Sequence, residues 1–316
     1  MKILLALVLM AVAPLAAAQA YPSKPVRMIV GYSAGGGADA LARLVGAKLS
    51  EGLGQQVLVD NRPGAGATIA AAAVAGAPPD GHTIFFADTA LLIAPSIYAK
   101  LQFDVLKSFA PVGGACTTPL VIAVNPSLKA NNVAELIKLL KADPGRLAYG
   151  SPGVGTVHHL AMETFKKQAG VSIVHIPYKG ASAIIPDLIS GQIHIGIISA
   201  PPALAQAKDG RLRPLALTSP VKVAGADWPA LAETLPGFDA SPRLFILAPA
   251  GTPAALVSQL NQALQKALNS KDLLESFAKQ GASADWTTPR ELAARMAQEM
   301  PRWSQVAKDA GVKAAE

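Results

Sequence analysis

From residue 26 onward, short apolar runs of strand length alternate with segments of helical period, and this alternation limits the chain to few architectures. Residues 26–32 read as a buried strand. Residues 40–49 read as a helix carrying Leu41, Leu44, Val45 and Leu49 on one face, stopped by Gly52 and Gly54. Strands at 57–60 and 83–88 follow, separated by the turn Asn61-Arg62-Pro63-Gly64-Ala65-Gly66, an alanine-rich helix over 68–75 and the turn Pro78-Pro79-Asp80-Gly81. The pattern continues through strands at 121–124, 147–150, 171–176, 193–199, 212–218 and 244–248, with helices at 133–141, 158–168 and 183–190. Helices at 253–269, 272–280 and 289–310 finish the chain. Such alternation predicts a parallel α/β architecture.

Two smaller α/β lobes suit 316 residues better than one very wide sheet. The strands near Val121 and Leu244 are each followed by a turn sequence, Asn125-Pro126-Ser127 and Pro249-Ala250-Gly251-Thr252-Pro253, and are the expected crossovers. Lobe 1 is then residues 21–121 with 245–316, and lobe 2, residues 122–244, is inserted into it. Hydrophobic residues make up 51% of the chain, enough for a sizeable core. The formal charge of +7 is spread out, with no basic run interleaved with aromatics, which argues against nucleic-acid binding and fits a small anionic ligand or an acidic partner. Cys116 is the only cysteine, so no internal disulfide exists and the thiol reads as an apolar filler. At the other end, Lys2, an apolar stretch over 3–18 and Ala18-Gln19-Ala20 form an export signal over residues 1–20. The mature chain is expected to begin near Tyr21 and to work in the periplasm.

In open α/β sheets, ligands bind beyond the carboxyl ends of the strands. Four such loops, 33–37, 88–90, 151–156 and 199–202, are rich in glycine and small hydroxyl residues. Glycines let main-chain N–H groups approach a ligand, and helix N-termini favour an anion. Two enzyme patterns overlap the first loop. Gly31-Tyr32-Ser33-Ala34-Gly35 is a G-x-S-x-G sequence between strand and helix, which would make Ser33 a secreted hydrolase's nucleophile with Asp187 and His194 as acid and base. No histidine follows His194, however, and no sheet precedes the elbow. Gly35-Gly36-Gly37-Ala38-Asp39-Ala40 fits G-x-G-x-x-A with Asp60 downstream, a dinucleotide pattern that an exported chain has little use for. His158 and His159 are adjacent, about 100° apart on a helix, and cannot both face one metal. His82, His175 and His194 are isolated. No metal site is expected, and of the histidines only His159, beside a candidate loop, is retained as a ligand contact.

Several segments taken together are distinctive. Tyr21-Pro22-Ser23-Lys24-Pro25-Val26-Arg27, Gly35-Gly36-Gly37-Ala38-Asp39, Asn61-Arg62-Pro63-Gly64-Ala65-Gly66 and Pro79-Asp80-Gly81 are followed by Tyr149-Gly150-Ser151-Pro152-Gly153-Val154-Gly155-Thr156, Pro177-Tyr178-Lys179-Gly180 and Ala248-Pro249-Ala250-Gly251-Thr252-Pro253. In this order they resemble the Bug family, the periplasmic substrate-binding receptors of tripartite tricarboxylate transporters, over essentially the whole mature chain. The resemblance implies a two-lobed periplasmic binding protein of Venus-flytrap, type II-like form with two crossover strands. It implies a monomer without cofactor that closes on a small organic carboxylate and delivers it to a membrane permease. Carried over by position, the ligand loops are 32–39 with 88–91, 153–159, and the strand end Ile198-Ser199-Ala200-Pro201. The candidate ligand residues are therefore Tyr32, Ser33, Ala34, Gly35, Gly36, Gly37, Asp39, Asp88, Thr89, Gly153, Gly155, Thr156, Val157, His159 and Ser199, with Arg243 at the second crossover. The chain departs from the family where Phe-Pro-Pro is common (Tyr32-Ser33-Ala34), where Asn is common (Asp88), and where an Asp-Asn pair is common (Ile198-Ser199). Val157 stands where Ser is usual, and Arg243 where an aromatic is frequent. These departures suggest a ligand with an anionic head and an apolar body, with Arg243 available to a second anionic group.

Overall fold

The structure, a computed structural model, describes residues 21–219, 223 and 226–313. The export signal expected at residues 1–20 lies outside them. Among the described residues, no helix is long and apolar enough to cross a membrane.

Two sheets organise the chain. The first half begins with β1 (Val26–Val30), α1 (Gly37–Leu53), β2 (Val57–Asn61), α2 (Thr68–Ala75), β3 (Thr83–Asp88), α3 (Ala90–Ile97) and β4 (Phe109–Thr117). The chain then enters β5 (Leu120–Val124), α4 (Val133–Ala142), β6 (Ala148–Ser151), α5 (Val157–Ala169), β7 (Val174–Pro177), α6 (Ala181–Ser190), β8 (Ile195–Ser199), α7 (Ala200–Lys208) and β9 (Arg213–Leu217). It returns through β10 (Arg243–Pro249) to α8 (Ala254–Leu268), α9 (Lys271–Lys279), β11 (Ser283–Ala284) and α10 (Pro289–Asp309). The six-stranded sheet has the order β11-β4-β10-β3-β1-β2, and the five-stranded sheet β7-β6-β8-β5-β9. Thr118 and Pro119 carry the chain from one sheet to the other, and Pro242 immediately precedes its return.

The sheets are mixed rather than parallel throughout. Strands β2, β1 and β3 are parallel, as are β7, β6 and β8, but β10 runs antiparallel to β3 and β5 antiparallel to β8. The cause is the crossover itself. The parallel strands end at the side where the sheets face each other, whereas β5 and β10 enter from that side and must run away from it.

Strand β4 and helix α3 are absent from the sequence pattern. Pro111, Gly113 and Gly114 weaken β4 as a strand. The glycines are there for close approach: a Cβ at Gly114 would lie 2.2 Å from the Asp285 carbonyl oxygen, and the Gly114 N–H donates to Thr287 Oγ1 at 2.8 Å.

Helix α1 buries Leu41, Ala42, Val45 and Leu49 against Val26, Met28 and Val30 of β1 and against Leu260 and Leu264 of α8. A second cluster runs continuously between the sheets. It joins Leu91, Ile97, Met296 and Trp303 to Val157, Leu160 and Phe165. Helix α10, whose side chains complete that cluster, starts with a reciprocal cap: Thr288 Oγ1 accepts from the Glu291 N–H at 3.2 Å, and Glu291 Oε2 accepts from the Thr288 N–H at 2.8 Å. Thr288→Ala should cost about 1 kcal/mol. In a thermal melt the midpoint should fall by roughly 2–4 °C; an unchanged midpoint would remove the cap from the account.

Candidate functional site

The loops leaving β1, β3, β6 and β8 meet where the two sheets face each other. They enclose a cavity with room for about one water molecule, lined by Tyr32, Gly36, Gly37, Ala38, Asp88, Thr118, Pro152, His158, Ala181, Ser199, Pro242 and Leu244. Five of the sequence-selected residues are therefore brought together: Tyr32, Gly36, Gly37, Asp88 and Ser199. Gly36 is the N-cap of α1 and Gly37 its first residue, so the start of that helix borders the space, while the Gly36 N–H itself donates to the Ser33 carbonyl at 3.4 Å.

Asp88 is the charged group of the wall. It is 6% exposed, its Oδ2 accepts from the Tyr32 hydroxyl at 2.7 Å, and its Oδ1 accepts from the Ala90 N–H at 3.1 Å. Burial pushes its carboxyl up to about 6, although both hydrogen bonds act the other way. Burial likewise pushes the Tyr32 phenol well above its ordinary value, with the Asp88 charge adding to the effect. Across the cavity, His158 Nε2 lies 3.3 Å from Ser199 Oγ, and His158 Nδ1 is buried without a partner. Burial pushes the His158 ring down to about 3, so it is neutral in the folded protein.

The remaining candidates lie elsewhere. Ser33 shares a hydrogen bond with Ser182 (Oγ···Oγ 2.7 Å), and its N–H donates to the Lys179 carbonyl at 3.2 Å, so it bridges the two sheets' loops. Ala34 and Gly35 are exposed beside it. Asp39 faces inward: its carboxylate accepts from the Gly35 N–H (2.9 Å), Asn61 Nδ2 (3.0 Å) and the Arg43 guanidinium (2.9 and 3.0 Å), which makes it the anchor of the loop. Thr89 ties β3 to β10, its Oγ1 accepting from the Arg243 N–H at 3.0 Å.

In the second sheet's loop, Thr156 caps α5 and donates to the Gly153 carbonyl at 2.8 Å, while Val157 is fully buried in the continuous cluster. The Gly155 N–H donates to His159 Nδ1 at 3.3 Å, and the His159 ring stacks on His175 with centroids 3.9 Å apart. The cavity histidine is His158, not the expected His159. Nor does Arg243 reach this cavity. Leu244 lines it, and the Arg243 side chain, on the other face of β10, pairs with Asp285 (2.8 Å) and Glu299 (3.0 Å).

The enzyme patterns are not assembled. Ser33 has Ser182 for a partner, Asp187 accepts from the Tyr178 hydroxyl at 2.6 Å, and His194 Nδ1 is buried without one. Asp60, the ribose candidate, is held by Arg27 and Arg62. Cys116 is fully buried in the first sheet's core, which pushes its thiol up. The candidate residues left out Ala38, Thr118, Pro152, His158, Ala181, Pro242 and Leu244 of this lining. Ala38, Pro152 and His158 stood inside loops that the sequence had selected, and Ala181 directly follows the turn Pro177-Tyr178-Lys179-Gly180.

Residues 41–312 match the family described as the tripartite tricarboxylate transporter family receptor. The chain is similar to the protein BugT of Bordetella pertussis, 36% identical over 300 residues that cover 94% of this chain and 92% of that one. Among solved structures it is similar to an R. palustris protein with adipate, at 32% identity and a TM-score of 0.90, covering 93% of this chain and 100% of that chain. It is also similar to the malate-bound MatC of Rhodopseudomonas palustris, at 26% identity and a TM-score of 0.85, covering 90% and 99%.

Proposed function

Because the chain belongs to the tripartite tricarboxylate transporter family of receptors, we propose that it captures a small organic carboxylate between its two sheets and delivers it to a membrane permease. Members of this family are solute-binding receptors and not enzymes, and the hydrolase reading of Ser33 falls with that assignment.

The observation that carries the proposal is the convergence of strand-end loops from both sheets on one cavity, with the α1 start among them. A helix start can hold a carboxylate without any Lys or Arg, and among the described residues no Lys or Arg lines the cavity. The adipate and malate bound by similar structures support the ligand class. In this reading the lobes are the parts built on the six-stranded and the five-stranded sheet, hinged at Thr118-Pro119 and Pro242 and not inside β5 and β10 as the sequence suggested, and closure presents both to the permease. In this reading the receptor acts as a periplasmic monomer. A ligand larger than water enters only when the lobes part.

The test is a thermal-shift screen of residues 21–316 against di- and tricarboxylates, aromatic carboxylates, amino acids and neutral sugars. A ligand at ~100 times its Kd adds about 2.7 kcal/mol and should raise the midpoint by several degrees. A shift from carboxylates alone is expected. Shifts from sugars, or from none of the anions, would overturn the proposal.

A further inference from the structure

We propose that Asp88 sets the ligand class, selecting carboxylates that carry an amino group at their far end over dicarboxylates of the same length. The inference rests on the receptor reading and narrows it. Asp88 is nine-tenths buried on the cavity wall, and its two hydrogen-bond donors, the Tyr32 hydroxyl and the Ala90 N–H, are both neutral. Each carboxylate oxygen retains a lone pair for a further donor.

Among the described residues, no cation compensates it. The guanidinium of Arg243, on the strand paired with β3, is turned to Asp285 and Glu299, and that of Arg43 to Asp39. The other titratable groups on the wall are the Tyr32 phenol and the His158 imidazole, and burial holds both neutral. The cavity thus combines a helix start, which favours an anion, with a buried carboxylate that carries a negative charge of its own.

A dicarboxylate would bring its second charge against the buried Asp88 carboxylate, and the repulsion would favour uptake of a proton by one of the two. An ammonium group in the same place gains a charge-assisted hydrogen bond instead. A hydroxyl or amide donor would gain the neutral version of that bond.

Titration calorimetry on residues 21–316 with two length-matched pairs tests this. The pairs are adipate against 5-aminopentanoate and succinate against 3-aminopropanoate, at about pH 8, where Asp88 is ionised. In the better-bound pair the amino acid should bind at least about tenfold more tightly. Asp88→Asn, and independently Asp88→Ser in case one variant folds poorly, should bring the two affinities within about threefold of each other. A wild-type preference for the dicarboxylate, or an unchanged ratio in a folded variant, would overturn the role of Asp88 while leaving the receptor reading standing. No binding by any member of either pair, together with a thermal-shift screen blank for all anions, would remove both.

Discussion

Gly37→Val is expected to hold the two lobes apart and to lower carboxylate affinity by about 100-fold or more. Gly37 is the first residue of α1, and a Cβ there would lie 2.6 Å from Ser199 Cβ and 2.9 Å from Ser199 Oγ. Real Cβ atoms do not approach that closely, and Ser199 ends β8 in the opposite sheet, so its Cβ cannot swing aside. Relief comes only from separating the loops, which breaks the Ser33–Ser182 contact and the hydrogen bond from the Tyr98 hydroxyl to the Val154 carbonyl (2.9 Å).

The readout is affinity for the carboxylate giving the largest thermal shift, alongside small-angle scattering with and without it. The variant should show weak binding and no compaction. The smaller Gly37→Ala should lose affinity as well, and adding Ser199→Gly to it should recover much of the loss by vacating the clashing atoms. Wild-type affinity in Gly37→Val would mean that these loops do not come together around the ligand.

Asp39→Ala should produce the largest loss of stability among substitutions near the site, about 2–4 kcal/mol. The buried carboxylate gathers the Gly35 N–H, the Asn61 amide and the Arg43 guanidinium, and Asn61 Nδ2 also donates to the Tyr32 carbonyl at 3.0 Å. Removing it leaves the Gly35 N–H, the Asn61 amide and the Arg43 guanidinium without their common acceptor and frees the segment that leads into α1. Arg43 is half exposed, so the ion pair itself contributes little of this figure.

The pH dependence checks the assignment. Burial alone would raise the Asp39 carboxyl, but the hydrogen bonds from Arg43, Gly35 and Asn61 outweigh it and hold the group below its usual range. A depressed folded value means that the stabilisation is fully present above the unfolded value of about 3.9 and is lost as pH falls through the folded one. Wild type and variant should therefore differ most at neutral pH and converge as pH falls below the usual carboxylate range. Urea melts at both pH values would show it, and an equal gap in the two would rule the carboxylate out as the source.

The α/β class was legible because burial leaves a periodic trace: Leu41, Val45 and Leu49 mark the inner face of α1 whatever surrounds it. Strand β4 left no such trace, since its glycines serve Thr287 and Asp285 more than 100 positions away. Tyr32, Asp88 and Ser199 could be selected because they lie at or just beyond the carboxyl ends of strands, where open α/β sheets bind ligands. His158 and Leu244 could not. Choosing between neighbours on a helix or strand needs its phase relative to the opposite sheet, and one residue of phase exchanges Leu244 for Arg243. Thr118 and Pro242 belong to crossovers, whose course is set by the pairing of distant strands.

The position of β10 also imposes a timetable on the making of this molecule. It lies between β3 and β4, yet its residues, 243–249, are synthesised after every strand of the five-stranded sheet. Until they arrive, β3 and β4 have no strand to join them, while residues 120–217 already contain all five strands of the other sheet. The amino-terminal half is thus the last to be sealed, through pairings remote in sequence and slow to find. A nascent chain of this design stays open longest at the end that an export signal would thread first.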